Sequence, residues 1–293
     1  ALVLSGKVFL DEGDVVLCES PTYLAAISAF KAYGCRFVEI DTDDEGMIPA
    51  SLEKALKEYP AAKLIYIIPN FQNPTGKTWS LERRKQAAEL SAKYRVAVIE
   101  DNPYGELRYE GDFLTSVKSF DRSGSVICTG TFSKIFCPGY RIGRIAGDAE
   151  VIRKYVLVKQ GADLQCNTIA QIVISAYLDQ YDIDAHIDKI REVYRRRRDT
   201  AIEAITRYFP SDTLFTRPEG GLFLWVELNE AINTTELLER CIAENVAFVP
   251  GYSFFPNKCR LNTLRINFST TPEEKIEEGL ARIGHVLKQA GFQ

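Results

Sequence analysis

The feature that most constrains this chain is an alternation of short, β-branched apolar runs with longer helical stretches. Residues 15–18, 36–40, 64–68, 96–100 and 126–129 read as strands, and helical patterns near 23–32, 52–58 and 81–94 separate the first four. Strands so uniformly apolar are buried on both faces, and an intervening helix is the crossover that parallel strands need. The expectation is an α/β fold with a mainly parallel sheet covered by helices on both faces. Two more helices follow near 149–160 and 168–179, then a long charged helix from Asp182 to about Tyr208. Beyond it, strands at 222–227, 246–249 and 264–268 and helices at 234–244 and 272–288 form a smaller α+β unit. Two domains are predicted, 1–184 and 185–293, joined by the long helix. The length of 293 residues agrees with a prior of about 150 residues per domain.

Charge and cysteine usage remove several function classes. The 36 Lys and Arg face 40 Asp and Glu, so nothing draws the chain to nucleic acid or to an anionic membrane surface. Arg195, Arg196, Arg197 and Arg198 are consecutive, but neighbouring residues point around a helix. Asp188, Glu192, Asp199 and Glu203 intersperse acids, so the run reads as a solvated face. No stretch approaches the roughly 18 apolar residues of a membrane span, and Lys7, Asp11 and Glu12 come too early for a signal-peptide core. A cytoplasmic protein is expected. Cys18, Cys35, Cys128, Cys137, Cys166, Cys241 and Cys259 include no CxxC pair, and His186 and His285 are the only histidines. Buried free thiols, with neither disulfide nor zinc, are the expectation.

In open α/β sheets ligands sit beyond the carboxyl ends of the strands, and three such ends are unusual here. Asn70 to Thr78 follows the third strand, and its Gly76-Lys77-Thr78 suggests the Walker A phosphate-binding loop of nucleoside triphosphatases. Phe71 stands where that loop needs glycine and Pro74 removes an N–H, which leaves a plain turn as the competing reading. Asp101 follows the fourth strand and needs a cation or several donors in so dry a place, although a helix cap or salt-bridge partner has the same look. After the fifth strand comes Gly130-Thr131-Phe132-Ser133-Lys134, with Arg141 beyond it. A lysine is ordinarily a surface charge, but one in an apolar pocket can be a Schiff-base amine and proton carrier.

Taken together, Asn73-Pro-x-Gly, Asp101-x-x-Tyr104, Ser133-Lys134-x-x-x-Pro-Gly-x-Arg141 and Arg265-Ile-Asn-Phe-Ser resemble the class I and II aminotransferases, fold-type I enzymes that use pyridoxal 5'-phosphate. Within that family the chain looks most like the 2-aminoadipate and kynurenine aminotransferases and the aminotransferase-like domains of MocR regulators. Glu19-Ser-Pro-Thr-Tyr23, Pro218-Glu-Gly-Gly-Leu-Phe-Leu-Trp225 and Val249-Pro-Gly-Tyr-Ser-Phe254 support the likeness. The resemblance implies that Lys134 bonds the cofactor aldehyde and then carries the substrate's proton. Asp101 would pair with the pyridine nitrogen, and Tyr104 and Asn73 would bond the ring oxygen. Thr131, Ser133 and Arg141 would hold the phosphate, and Tyr23 would lie beside the ring. Arg265, with Asn73 beside it, would clamp the substrate carboxylate.

The implied activity is transfer of an amino group from an amino acid, 2-aminoadipate, aromatic or similar, to a 2-oxo acid such as 2-oxoglutarate, in a homodimer. A regulator's cofactor-binding effector domain is the alternative, and a lyase or decarboxylase a third reading. The chain has Ala at position 1 and residues 1–10 read as an amphipathic helix without a cap. It is therefore expected to lack the front of the family fold, including a phosphate-binding loop and an arm over the substrate.

Overall fold

The computed structural model describes residues 1–257 and 260–291. Helix α1 (Leu2–Phe9) leads into β1 (Val15–Glu19), α2 (Leu24–Lys31) and β2 (Arg36–Ile40). A small hairpin, β3 (Thr42–Asp43) with β4 (Gly46–Met47), precedes α3 (Pro49–Glu58), β5 (Leu64–Ile67), α4 (Leu81–Tyr94) and β6 (Ala97–Asp101). Then come β7 (Val126–Thr131), β8 (Gly143–Ala146), α5 (Ala149–Asp163), α6 (Thr168–Gln180) and α7 (Ile183–Tyr208). The remainder holds β9 (Leu214–Phe215), β10 (Phe223–Glu227), α8 (Thr234–Ala243), β11 (Val249–Pro250), β12 (Thr263–Asn267) and α9 (Glu273–Gln289).

The large sheet has the order β2-β1-β5-β6-β7-β8, parallel except for β8, which returns antiparallel to β7. Alternation along each strand divides its side chains between two cores, as the period of two requires. Val16, Cys18, Leu64, Tyr66, Ile99 and Ile127 join Phe30 of α2 and Tyr155 of α5 on one face. Val15, Leu17, Ile65, Ile67, Val98 and Val126 join Leu52 and Leu56 of α3 and Ala87 and Ala88 of α4 on the other. This is the doubly covered, mainly parallel sheet expected from the continuous apolar strands.

A third core lies under the antiparallel sheet β11-β12-β10-β9, where α8 and α9 cover Leu224, Val226, Leu264 and Ile266. Helix α7 runs from one core to the other: Ile187 belongs to the first and Ala201, Ala204 and Ile205 to the third. Among the described residues no helix is long and apolar enough to cross a membrane.

Three local expectations differ in detail. Strand 246–249 shrinks to Val249–Pro250, because the Val246 N–H is spent on Cys241 O at the end of α8. The arginine run is not wholly solvated. Arg195 and Arg196 lie on the exposed face, but Arg198 is buried and bonds Glu110, Asp199 and the Pro218 carbonyl. Its position along the helix turns it toward the sheet, where three acceptors replace its water. Of the cysteines, Cys18, Cys35 and Cys241 are buried and Cys128, Cys137 and Cys166 half-buried, and these six form no disulfide with one another. Cys259 lies outside the described residues.

Candidate active site

The carboxyl ends of β5, β6 and β7 converge with β12 on one cleft. Asp101 is the last residue of β6; its Oδ1 accepts from Thr129 Oγ1 and its Oδ2 from the Tyr66 hydroxyl, both at 2.8 Å. Loss of water is the largest influence on the carboxyl and pushes its pKa up, while the two hydroxyl donors pull it back. The Ala1 ammonium adds a smaller pull in the same direction, and the residue ends a strand rather than capping a helix.

The loop after β5 carries Asn73 and is fixed from several sides. Arg84, fully buried on α4, donates to the Pro69, Trp79 and Thr115 carbonyls and to Asn70 Oδ1, and burial lowers its pKa to about 10. Asn70 in turn donates to Asn102 Oδ1 at 2.8 Å, linking this loop to the one after Asp101. Glu19 closes the other side: its carboxylate accepts the Ile68 N–H at 2.9 Å and the Trp79 indole N–H at 2.8 Å. Burial drives its pKa up to about 7. Phe71 and Gly221 (φ +77°) meet in close contact, so the segment leading into β10 rests directly on this loop.

So supported, Asn73 Nδ2 donates to the Tyr104 hydroxyl at 3.3 Å, and Asn73 Oδ1 accepts from Arg265 Nη1 at 2.8 Å. The Arg265 guanidinium lies between the rings of Phe223 and Phe254, at 4.2 and 5.1 Å, and its Nε is buried without a partner. Beyond β7, the Ser133 N–H donates to Thr131 Oγ1 at 3.1 Å, and Arg141 Nη1 reaches Ser133 Oγ at 3.4 Å. Lys134 is half-buried between these groups; burial, Arg141 and Arg265 together hold its ammonium below the usual lysine range. Tyr23, at the start of α2, feels the charges of Asp101, Arg265 and Arg141. All nine residues singled out from the sequence thus stand around one cleft.

Lys134, Arg141 and Arg265 gather around the Asp101 carboxylate, on which the Ala1 ammonium acts as well. Such a site is short of anions, and the unpartnered Arg265 Nε asks for an acceptor within it. A phosphate at one end, a carboxylate at the other and a protonated ring nitrogen against Asp101 fit that donor set. The comparisons agree. Residues 2–283 match the family Aminotransferase class I and II.

The chain belongs to the class I and II aminotransferases. It is 46% identical to aromatic-amino-acid aminotransferase 1 of Thermococcus litoralis, over 99% of this chain and 70% of that protein. It is 39% identical to 2-aminoadipate transaminase of Thermus thermophilus, over 98% of this chain and 73% of that protein. The crystal structure of Pyrococcus horikoshii kynurenine aminotransferase, in complex with PMP, superposes with a TM-score of 0.95 at 44% identity, covering 99% of this chain and 72% of that one. This aminotransferase is a fold-type I enzyme, and its cofactor is pyridoxal 5'-phosphate.

The motif reading assigned no role to Tyr66, Thr129 and Arg84, nor to Glu19 and Phe223, although these last two stand inside the supporting stretches. Each is an ordinary strand, helix or loop residue in sequence, and only strand register or burial reveals what it touches.

Proposed function

We propose that this aminotransferase moves an amino group from 2-aminoadipate, an aromatic amino acid or a similar donor to 2-oxoglutarate. The observation that carries the reading is the Arg265 guanidinium, packed against two rings, bonded to Asn73, left with a buried unpartnered Nε, and close enough to Lys134 for its charge to lower that amine's pKa. It is a fork for the carboxylate that every amino acid and 2-oxo acid shares.

When bound, pyridoxal phosphate supplies an aldehyde that amino groups can join and a ring that takes up the electron pair left at the substrate Cα. In the proposed roles, Thr131, Ser133 and Arg141 hold the phosphate and Tyr23 lies along the ring. Asp101 holds a proton on the ring nitrogen, and Tyr104 with Asn73 holds the ring oxygen. Lys134, whose lowered pKa leaves more of it as free amine at neutral pH, anchors the cofactor and then moves the Cα proton. Arg265 and Asn73 orient the carboxylate so that this proton faces Lys134.

We divide the chain at residue 185, within the helix that passes between the cores, into a cofactor domain and a smaller C-terminal domain. A homodimer is part of the proposal, supported by an exposed apolar face on α5 and α6 that includes Leu157 (61% exposed), Ile169 (72%) and Ile172 (61%). Its assignment to the cytoplasm rests on kinship with the prokaryotic transaminases. The regulator reading has less support, because the relatives described above are transaminases.

The test is a half-reaction. Enzyme loaded with pyridoxal phosphate and mixed with 2-aminoadipate or an aromatic amino acid should release one equivalent of 2-oxo acid per site. Release of carbon dioxide or ammonia in its place would transfer the assignment to decarboxylase or lyase chemistry.

A further inference from the structure

The hydrogen bonds around Asp101 follow from the register of the sheet. Thr129 on β7 lies directly opposite Asp101. Tyr66 on β5 pairs with Ile99, so its side chain emerges on the same face as that of Asp101 but two residues out of step. A phenol is long enough to span that diagonal, and its hydroxyl donates to Oδ2; Thr129, from the facing position, donates to Oδ1. The Tyr66 ring is fully buried and stands edge-on to Phe30 of α2, with centroids 5.7 Å apart at 81°. It cannot swing away, and burial holds the phenol well above its ordinary pKa, so it remains a donor throughout the working range.

The choice of donor matters. A cation beside Asp101 would stabilise the carboxylate and at the same time spend its charge. Two neutral hydroxyls replace part of the lost hydration without spending the carboxylate's charge, on which the Ala1 ammonium acts only through space, so that charge remains for a partner in the cleft.

We propose that Tyr66 is a positioning residue for transamination: its hydroxyl, together with that of Thr129, keeps the Asp101 carboxylate ionised and aimed at the ring nitrogen of the cofactor. The proposal rests on the reading that Asp101 is the partner of that nitrogen. Tyr66 touches neither cofactor nor substrate; it acts through Asp101.

The test compares Tyr66→Phe, Thr129→Val, Thr129→Ser and Asp101→Asn in the complete protein. Two readouts are followed against pH: the affinity of the apoprotein for pyridoxal phosphate, and the nitrogen-15 shift of ring-labelled cofactor in the holoenzyme. Tyr66→Phe keeps the ring on Phe30, and Thr129→Val keeps the volume at the second position should the first variant fold poorly.

Each of these two should move the acid limb of cofactor affinity up by about one pH unit and shift the ring-nitrogen signal toward its unprotonated value. Thr129→Ser, which restores the hydroxyl, should return both to wild type. Adding Tyr66→Phe to Asp101→Asn should change neither further. If Asp101→Asn deprotonates the ring nitrogen while Tyr66→Phe and Thr129→Val leave both readouts unmoved, the role of the hydroxyls is refuted. A ring nitrogen that stays protonated in Asp101→Asn refutes the reading of Asp101 itself.

Discussion

Arg265 Nη1 donates to Asn73 Oδ1 at 2.8 Å, tying the antiparallel C-terminal sheet to the loop after β5. Asn73 also donates to the Tyr104 hydroxyl, so the carboxylate fork and the group proposed for the ring oxygen share one amide. Arg265→Lys keeps the charge but loses the fork and the flat contact with Phe223 and Phe254. Its KM for every amino acid and 2-oxo acid should rise together by roughly tenfold to a hundredfold, as expected for loss of a charged hydrogen bond. A rise confined to one substrate would point to side-chain recognition instead, and steady-state kinetics on both half-reactions distinguishes the two.

Phe223 lies under the Arg265 guanidinium at 4.2 Å and meets the Tyr104 ring edge-on at 5.8 Å. Phe223→Leu removes both contacts while keeping most of the volume. Thermal denaturation should show a loss of about 1–2 kcal/mol from packing and cation–π terms. Carboxylate affinity should fall several-fold, because the guanidinium loses one wall. Equal KM values in wild type and variant would contradict the idea that the ring holds the fork.

Gly220 and Gly221 sit against the loop that carries Asn73. A Cβ at Gly220 would lie 2.3 Å from the Leu107 carbonyl and 2.5 Å from Phe71 Cζ; one at Gly221 would lie 2.4 Å from Phe71 Cβ. Gly220→Ala should therefore cost about 2–4 kcal/mol by overpacking. Displacing Phe71 also moves Asn73, so cofactor affinity should fall with stability. Calorimetry and a cofactor titration on the same sample test whether the two losses appear together.

Glu19 provides a prediction for pH. Its pKa rises from 4.5 to about 7 on folding because the carboxyl is buried. The folded protein then holds a proton that the unfolded chain has released, so this contribution to stability is complete below about pH 4.5 and is lost as pH rises through 7. The loss is on the order of 3 kcal/mol. Glu19→Gln lowers stability overall, since one amide oxygen cannot serve both Ile68 and Trp79, yet it should flatten the decline in Tm between pH 5 and 8. A variant with the same slope as wild type would assign that slope to other groups.

The large sheet was legible because β1, β5, β6 and β7 are nearly continuous apolar runs, which leave little choice but burial on both faces. Helix α4 was readable to its ends, with Ser80 capping it and Arg95 leaving it in the left-handed region. The β3–β4 hairpin and the antiparallel β8 were not, being too short to show a period. The cleft was legible where motif residues follow strand ends, as at Asp101 and Lys134. Tyr66 was hidden because its reach to Asp101 is a diagonal across two strands, fixed only once they are in register. Arg198 was hidden for a related reason: nothing in a run of four arginines says which one the helix turns inward.

The central claim is that Lys134 is the amine that anchors the cofactor and moves the substrate proton. Lys134→Ala in the complete protein, reconstituted with pyridoxal phosphate, tests it most directly through the visible absorption of the lysine-bound cofactor and turnover with an amino acid and 2-oxoglutarate. The account predicts that both disappear while the protein stays folded. A variant that keeps the band, or that still transaminates at a rate near wild type, contradicts it.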